Sequence, residues 1–328
     1  MTAKPLKNRK DSPSVSYHRV SDEEAGQRLD NFLLRVMKGV PKTRIYRAIR
    51  RGEVRVDGGR AAASRKLGAG EAVRLPPLRR PETEALRSPD AARKAILGRI
   101  IFEDERLLAI NKPSGMAAHG GSGVSFGAIE LMRQARPDLA YLELVHRLDR
   151  ETSGCLLFAK RRSALRSMHE RLRENAVEKC YLALLAGRLD TGERRVDAAL
   201  VTNLRRGGER MVGVDPDNGK RSVSTFRSVQ AYPAATLAEV RIETGRTHQI
   251  RVHAAHIGHP VVGDEKYGNR ALNRDFRRLG LKRMFLHAQS LSFERPGGGE
   301  TLCISAPLQS QLRELLDRLE AADSGGLR

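Results

Sequence analysis

The sequence contains no tryptophan, and aromatic residues make up only 4% of it. Its cores must therefore be built mostly from Leu, Val, Ile and Ala, within a hydrophobic fraction of 40%. Three scattered cysteines in 328 residues exclude a disulfide scaffold. No stretch approaches the ~18 uncharged apolar residues of a membrane span, and no amphipathic anchor is visible. The basic start, with Lys4, Lys7, Arg9 and Lys10, is followed by no apolar segment of the kind a secretory signal needs. Acidic residues are also few. There are 39 of them against 60 Lys and Arg, a formal net charge of +21. The expectation is a soluble, cytoplasmic, strongly basic protein with a polyanionic partner, of which nucleic acid is the commonest.

The charge is concentrated at one end. Residues 1–80 hold 20 Lys and Arg against 8 Asp and Glu, which predicts a small basic domain in front of a larger one. Residues 1–20 are polar and aperiodic and read as a disordered tail. Helical spacing of Leu29, Phe32, Leu33 and Val36, then of Ile45, Ala48 and Ile49, predicts two helices separated at Pro41. Gly52 stops the second helix. Val54 and Val56 alternate as a short strand before the turn pair Asp57-Gly58, and Val73 and Leu75 form a closing strand. Residues 81–98 read as a linker. From 99 to 322, strand-like runs outnumber helices without βαβ alternation. The predicted class is α+β, with a mixed, largely antiparallel sheet. No internal repeat is visible.

In the predicted second helix, Arg44, Arg47 and Arg51 sit on a face separate from the apolar stripe. Such a face is either simply solvated or tracks phosphates, and phosphate binding makes affinity fall steeply with salt. The order of features decides between these. Arg28-Leu29-Asp30 opens one helix and Pro41-Lys42-Thr43-Arg44 the next. Arg51 to Gly58 and Leu67 to Leu75 follow. This arrangement resembles the S4 RNA-binding domain over residues 27–80. Thr43 and Asp57 stand where that family usually has Ser and Asn, which preserves the capping and turn chemistry. The resemblance implies phosphate contacts from Lys42, Arg44, Arg47, Arg50, Arg51 and Arg55.

The segment Val145-His146-Arg147-Leu148-Asp149-Arg150-Glu151-Thr152-Ser153-Gly154 is a charged loop between apolar runs, where reactive groups are often displayed. An aspartate there can equally be an ion-pair partner or a turn residue. Three further segments occur with it. They are Asn111-Lys112-Pro113-Ser114-Gly115, Lys179-Cys180-Tyr181, and Thr244-Gly245-Arg246-Thr247-His248-Gln249-Ile250-Arg251-Val252-His253. In type and order, the four resemble the motifs of the RluA-type pseudouridine synthases.

That resemblance implies isomerisation of uridine, with cleavage of N1–C1′, rotation of the base and formation of C5–C1′. No cofactor and no metal is implied. Uracil can leave as a delocalised anion, so one carboxylate can replace the pair used by most glycosidases. The resemblance assigns that role to Asp149, by attack at C1′, addition at C6 or removal of the C2′ proton. It makes Arg251 the cationic partner that keeps Asp149 ionised. Tyr181 would stack on the base and assist loss of the C5 proton. Arg147 would hold the space or the phosphate of the flipped nucleotide. Arg246 is assigned to RNA contact, and Ile250 to packing near the site.

Other signals carry less. His248, His253, His256 and His259 do not share one helix face, and no carboxylate or cysteine pair completes a zinc pattern. Gly120 to Gly123 lacks the ending of a phosphate-binding P-loop. Cys155 and Cys180 read as core thiols. His119 to Gly127 and Phe158 to Arg166 resemble the C-type branch of the family, which modifies several separate uridines of 23S ribosomal RNA. The D-type branch, acting on one stem-loop of that RNA, is the alternative. A non-catalytic ribosomal RNA-binding or assembly factor and a metal-dependent nuclease or hydrolase are the alternatives from other classes. The expected partner is 23S ribosomal RNA or a large-subunit assembly intermediate, with the protein a monomer.

Overall fold

A computed structural model describes residues 15–37, 39–77, 88–120, 126–190, 192–206 and 209–325. The chain forms two units, residues 1–87 and 88–328.

The first unit contains β1 (Ser16–Arg19), α1 (Leu29–Val36), α2 (Lys42–Arg50), β2 (Arg55–Val56) and β3 (Ala72–Leu75). The strands form an antiparallel sheet in the order β1-β3-β2. Leu29, Phe32 and Leu33 of α1 and Ile45, Ala48 and Ile49 of α2 are buried with Val54, Val56, Val73 and Leu75. Gly52, just after α2, has a φ of 69°, which glycine adopts without steric cost. Asp57 and Gly58 are both left-handed, and Val56 and Gly59 exchange backbone hydrogen bonds across the turn. The polar outer face of α2 leaves Lys42, Arg47 and Arg50 exposed, with Arg51 beyond it and Arg55 on β2. Arg44 differs: it is half-buried in an ion pair with Glu53 at 2.8 Å.

β1 lies inside the stretch read as a disordered tail. Its residues Ser-Tyr-His-Arg carry no apolar alternation, and what orders them is pairing with the distant β3. His18 fills the inward position by packing edge-on against Phe32 at 5.0 Å and bonding Glu24 at 2.8 Å. Residues 1–14 of that stretch lie outside the described residues.

The second unit opens with α3 (Asp90–Leu97), β4 (Ile100–Glu103), β5 (Leu107–Lys112), α4 (Ala128–Ala135), β6 (Glu143–Leu144) and β7 (Ser153–Ala159). It continues with α5 (Arg162–Arg173), β8 (Val177–Ala186), β9 (Glu193–Asp197), the hairpin β10 (Leu200–Arg206) and β11 (Glu209–Val214), β12 (Val223–Ala231) and β13 (Ala235–Ile242). It closes with α6 (Gln249–His256), α7 (Arg270–Arg278), β14 (Leu286–Glu294), β15 (Thr301–Ser305) and α8 (Ser310–Gly325). The large sheet runs β4-β5-β7-β14-β8-β13-β12-β9, with β15 paired to β14 and β6 to β7. Among the described residues of this sheet only the β7–β14 pairing is parallel, so the predicted mixed, largely antiparallel α+β class holds.

α3 falls within residues 81–98, the stretch read as linker. Its Ile96 is fully buried among Leu108, Ile129 and Met132, so the second unit begins at 88 rather than 99. Residues 81–87 lie outside the described residues. At the other end α8 runs to Gly325, past the expected limit of 322.

The sheet's centre is shaped for a site. Across four strands, Gly154, Ala288, Tyr181 and Val240 are successive register partners. A Cβ on Gly154 would lie 2.1 Å from the Ala288 carbonyl oxygen, so β7 and β14 can pair here only through a glycine. Glycine and alanine beside Tyr181 leave space on that row for a phenol ring.

Candidate active site

The loop between β6 and β7 is braced at almost every residue. His146 accepts a hydrogen bond from the Leu157 backbone N–H through Nε2 at 3.2 Å. Burial pushes its pKa down to about 4, so the ring stays neutral in that role. Arg147 is exposed, while Leu148 is buried in the core beside α4. The Thr152 N–H returns to the Asp149 carbonyl at 3.1 Å, which closes the turn.

The Asn111-Lys112-Pro113-Ser114-Gly115 segment clamps the same loop. The Lys112 ammonium is fully buried and donates to the carbonyls of Pro113, Met116 and Arg150 at 3.0, 2.7 and 3.2 Å. Its three protons therefore have three acceptors. Gly115 N–H donates to the Arg150 carbonyl at 2.8 Å, Arg150 Nε donates to the Gly115 carbonyl at 3.0 Å, and Ser114 Oγ donates to the Glu151 carbonyl at 2.8 Å. Asp149 thus precedes a two-residue stretch, Arg150–Glu151, whose carbonyls take three hydrogen bonds and whose Arg150 side chain makes a fourth.

Burial, then the Arg283 charge, pushes Lys112 down to about 7, against the opposing carboxylates of Glu151 and Asp149. The unfolded side chain titrates near ~10.4. Between those values the unfolded chain binds the extra proton, so stability rises with pH from about 7 towards 10. Guanidinium unfolding of wild type and Lys112→Met at pH 7, 8 and 9 isolates this slope. The wild-type advantage should grow with pH; a constant difference would refute the assignment.

The Thr244–His253 segment supplies the opposite wall. Gln249 is buried and organises it, accepting from Thr244 Oγ1 and the Arg246 N–H and donating to the Val223 carbonyl. Arg251, near the start of α6, forms a two-bond ion pair with the fully buried Asp264 at 2.7 and 2.8 Å. Its remaining guanidinium nitrogen, Nη1, stands 3.6 Å from Asp149 Oδ2. Burial alone would lower the Arg251 pKa, but Asp264 and then Asp149 more than offset this and raise it. Burial likewise works to raise Asp264, and the Arg251 guanidinium overrides it and holds that carboxyl below its ordinary range.

These elements enclose one pocket, lined by Arg147, Asp149, Tyr181, His248, Ile250 and Arg251 together with neighbouring backbone. Burial, then the Asp149 charge, raises the Tyr181 phenol above its usual range, so it stays protonated. Arg246 also lines the pocket, exposed, with Nε donating to the Arg221 carbonyl. Lys42, Arg44, Arg47, Arg50, Arg51 and Arg55 belong to the first unit. Sequence reasoning missed Asp264 and Tyr267, and it set His248 aside as a failed metal ligand. Tyr267 lies under the Arg251 guanidinium at 4.9 Å and hydrogen-bonds His248. Among the described residues, no group of three His, Cys, Asp or Glu is placed to hold a metal.

Residues 106–256 match the family described as RNA pseudouridylate synthase, and residues 27–73 match the S4 domain. Ribosomal large subunit pseudouridine synthase C of Yersinia pestis is 50% identical over 307 residues, 93% of this chain and 96% of that protein. The chain belongs to the RNA pseudouridylate synthase family. The enzyme of the same name from Escherichia coli strain K12 is 49% identical over 317 residues, 95% of this chain and 99% of that one. Among solved structures, human RNA Pseudouridylate Synthase Domain Containing 4 superposes with a TM-score of 0.58 at 24% identity. That match covers 70% of this chain and 96% of the human one, and it carries the synthase fold. Of the four segments singled out in the sequence, Asn111–Gly115 braces the Asp149 loop, and each of the other three contributes residues to the pocket lining.

Proposed function

We propose that this synthase isomerises several separate uridines of the large-subunit ribosomal RNA, 23S, to pseudouridine, as a C-type enzyme. The observation that carries the reaction is the meeting of Asp149, Arg251 and Tyr181 in one pocket. The choice of RNA is supported by the half-identical relatives named as large-subunit enzymes. No helix among the described residues is long and apolar enough to cross a membrane, and we assign the protein to the cytoplasm as a monomer. Its substrate is the RNA itself or a large-subunit assembly intermediate.

A target base must first leave its stack, at a cost of a few kcal/mol. Arg147, exposed at the mouth two residues before Asp149, takes the space or the phosphate left behind. The uracil lies against Tyr181, with Ile250 providing apolar contact. N1–C1′ breaks, and the electron pair leaves on the uracil as a delocalised anion. Asp149 serves this step by attack at C1′, addition at C6 or removal of the C2′ proton, and each route needs the carboxylate that Arg251 faces. The base turns, C5 joins C1′, the C5 proton departs and N1 regains a proton. The exposed basic side chains of α2, together with Arg55, bind RNA phosphates and hold the substrate by a salt-sensitive interaction.

The test is to incubate the purified chain with protein-free 23S transcript and map pseudouridines by carbodiimide labelling and primer extension. Stops at several separate sites are expected. Stops confined to one stem-loop would transfer the protein to the D-type. An absence of stops on both transcript and assembly particles would leave an RNA-binding factor without this activity.

A further inference from the structure

His248 is held in an unusual way. It caps α6 with φ 54°, ψ 19°, a left-handed conformation that a non-glycine residue adopts at a cost. Its Nδ1 lies 2.7 Å from the Tyr267 hydroxyl, and the two rings meet edge-on at 5.5 Å. The Tyr267 oxygen already accepts the Val212 backbone N–H at 3.1 Å. Its own proton is then available for His248 Nδ1, which places the imidazole proton on Nε2. That nitrogen points into the pocket, 3.8 Å from Asp149 Oδ2. Arg251 Nη1 approaches the same oxygen at 3.6 Å. Both distances exceed a formed hydrogen bond, as is common in unliganded sites that tighten around substrate.

We propose that His248 is a positioning residue: with Arg251 it fixes Oδ2 of Asp149 and leaves Oδ1 to meet the ribose or the base. The inference rests on Asp149 being the reacting carboxylate, as proposed above. Tyr267 is the second member of the device. It supports the Arg251 guanidinium from below and sets which imidazole nitrogen carries the proton.

The test compares full-length wild type, His248→Asn and His248→Gln on the 23S transcript, reading single-turnover rate and RNA affinity. Asparagine tolerates left-handed backbone better than most residues, so it preserves position 248 while removing the distal nitrogen. Glutamine fits that backbone less well but offers an N–H donor near the place of Nε2. The Asn variant should be about tenfold slower with unchanged RNA affinity, a typical loss for a group that orients a reacting one. The Gln variant should stay within about threefold of wild type. Tyr267→Phe should lose about as much as His248→Asn. An Asn variant within about twofold of wild type, or a Gln variant as slow as Asn, would overturn the role. A wild type forming no pseudouridine would overturn the reaction itself, and this role with it.

Discussion

Replacing Asp149 by asparagine is expected to abolish tritium release from RNA labelled at uridine C5, with RNA binding intact. The amide has the shape of the carboxylate but neither its negative charge nor its basicity. It can neither attack C1′, add to C6, nor remove the C2′ proton at a useful rate. The loss should exceed about a thousandfold, comparable with removal of a nucleophile elsewhere. The fold should barely respond. Asp149 is partly open to solvent, and its contact with Arg251 is 3.6 Å, so the pair contributes at most about 1 kcal/mol. Arg251 keeps its two bonds to Asp264 in the variant. RNA affinity should hold or rise slightly, since a negative charge is removed next to a polyanion. Release within tenfold of wild type would mean that another group carries the chemistry.

The motif loop around Asp149 was readable because nearly every residue in it has a local duty. His146 caps a strand bond, Leu148 fills the core, and Gly154 permits the approach of β14. Such duties restrict residue type, and a restricted run can be recognised. The basic face of α2 was legible for a simpler reason, because its polar and apolar positions separate at helical spacing. Asp264 and Tyr267 carried no comparable signal. They lie in the irregular stretch between α6 and α7, where no periodicity marks a buried side chain. Their importance comes from a pairing across thirteen and nineteen positions, Arg251 with Asp264 and His248 with Tyr267. His248 stands in the recognisable motif, but the sequence does not show its left-handed backbone. β1 and α3 were lost to composition: polar or proline-flanked segments read as tail and linker until a distant partner is known.

The second large effect is expected at Asp264. Its side chain is fully buried and takes four hydrogen bonds: Arg251 Nε and Nη2, and the backbone N–H groups of Lys266 and Tyr267. In Asp264→Asn one carboxylate oxygen becomes an NH2 that faces other donors. Arg251 then has a buried charge without its counter-ion, and breaking one side of such a pair costs about 3–5 kcal/mol. The wild-type contribution is present above the ordinary carboxylate value of ~3.9 and is lost as pH falls through the lower folded value. Catalysis should suffer separately. A guanidinium released from Asp264 no longer holds its distance from Asp149, and a displacement of about 1 Å can cost about a hundredfold in rate.

A paired substitution separates the two losses. Arg251→Met combined with Asp264→Asn removes both charges and keeps an oxygen acceptor for the Lys266 and Tyr267 backbone N–H groups, so no buried charge is left without its counter-ion. Urea melts should therefore place the double variant closer to wild type than Asp264→Asn, while its pseudouridine formation stays at least as low. Recovery of activity along with stability would show that Arg251 serves the fold alone. Stability regained without activity would show that the buried pair exists to hold Nη1 in front of Asp149.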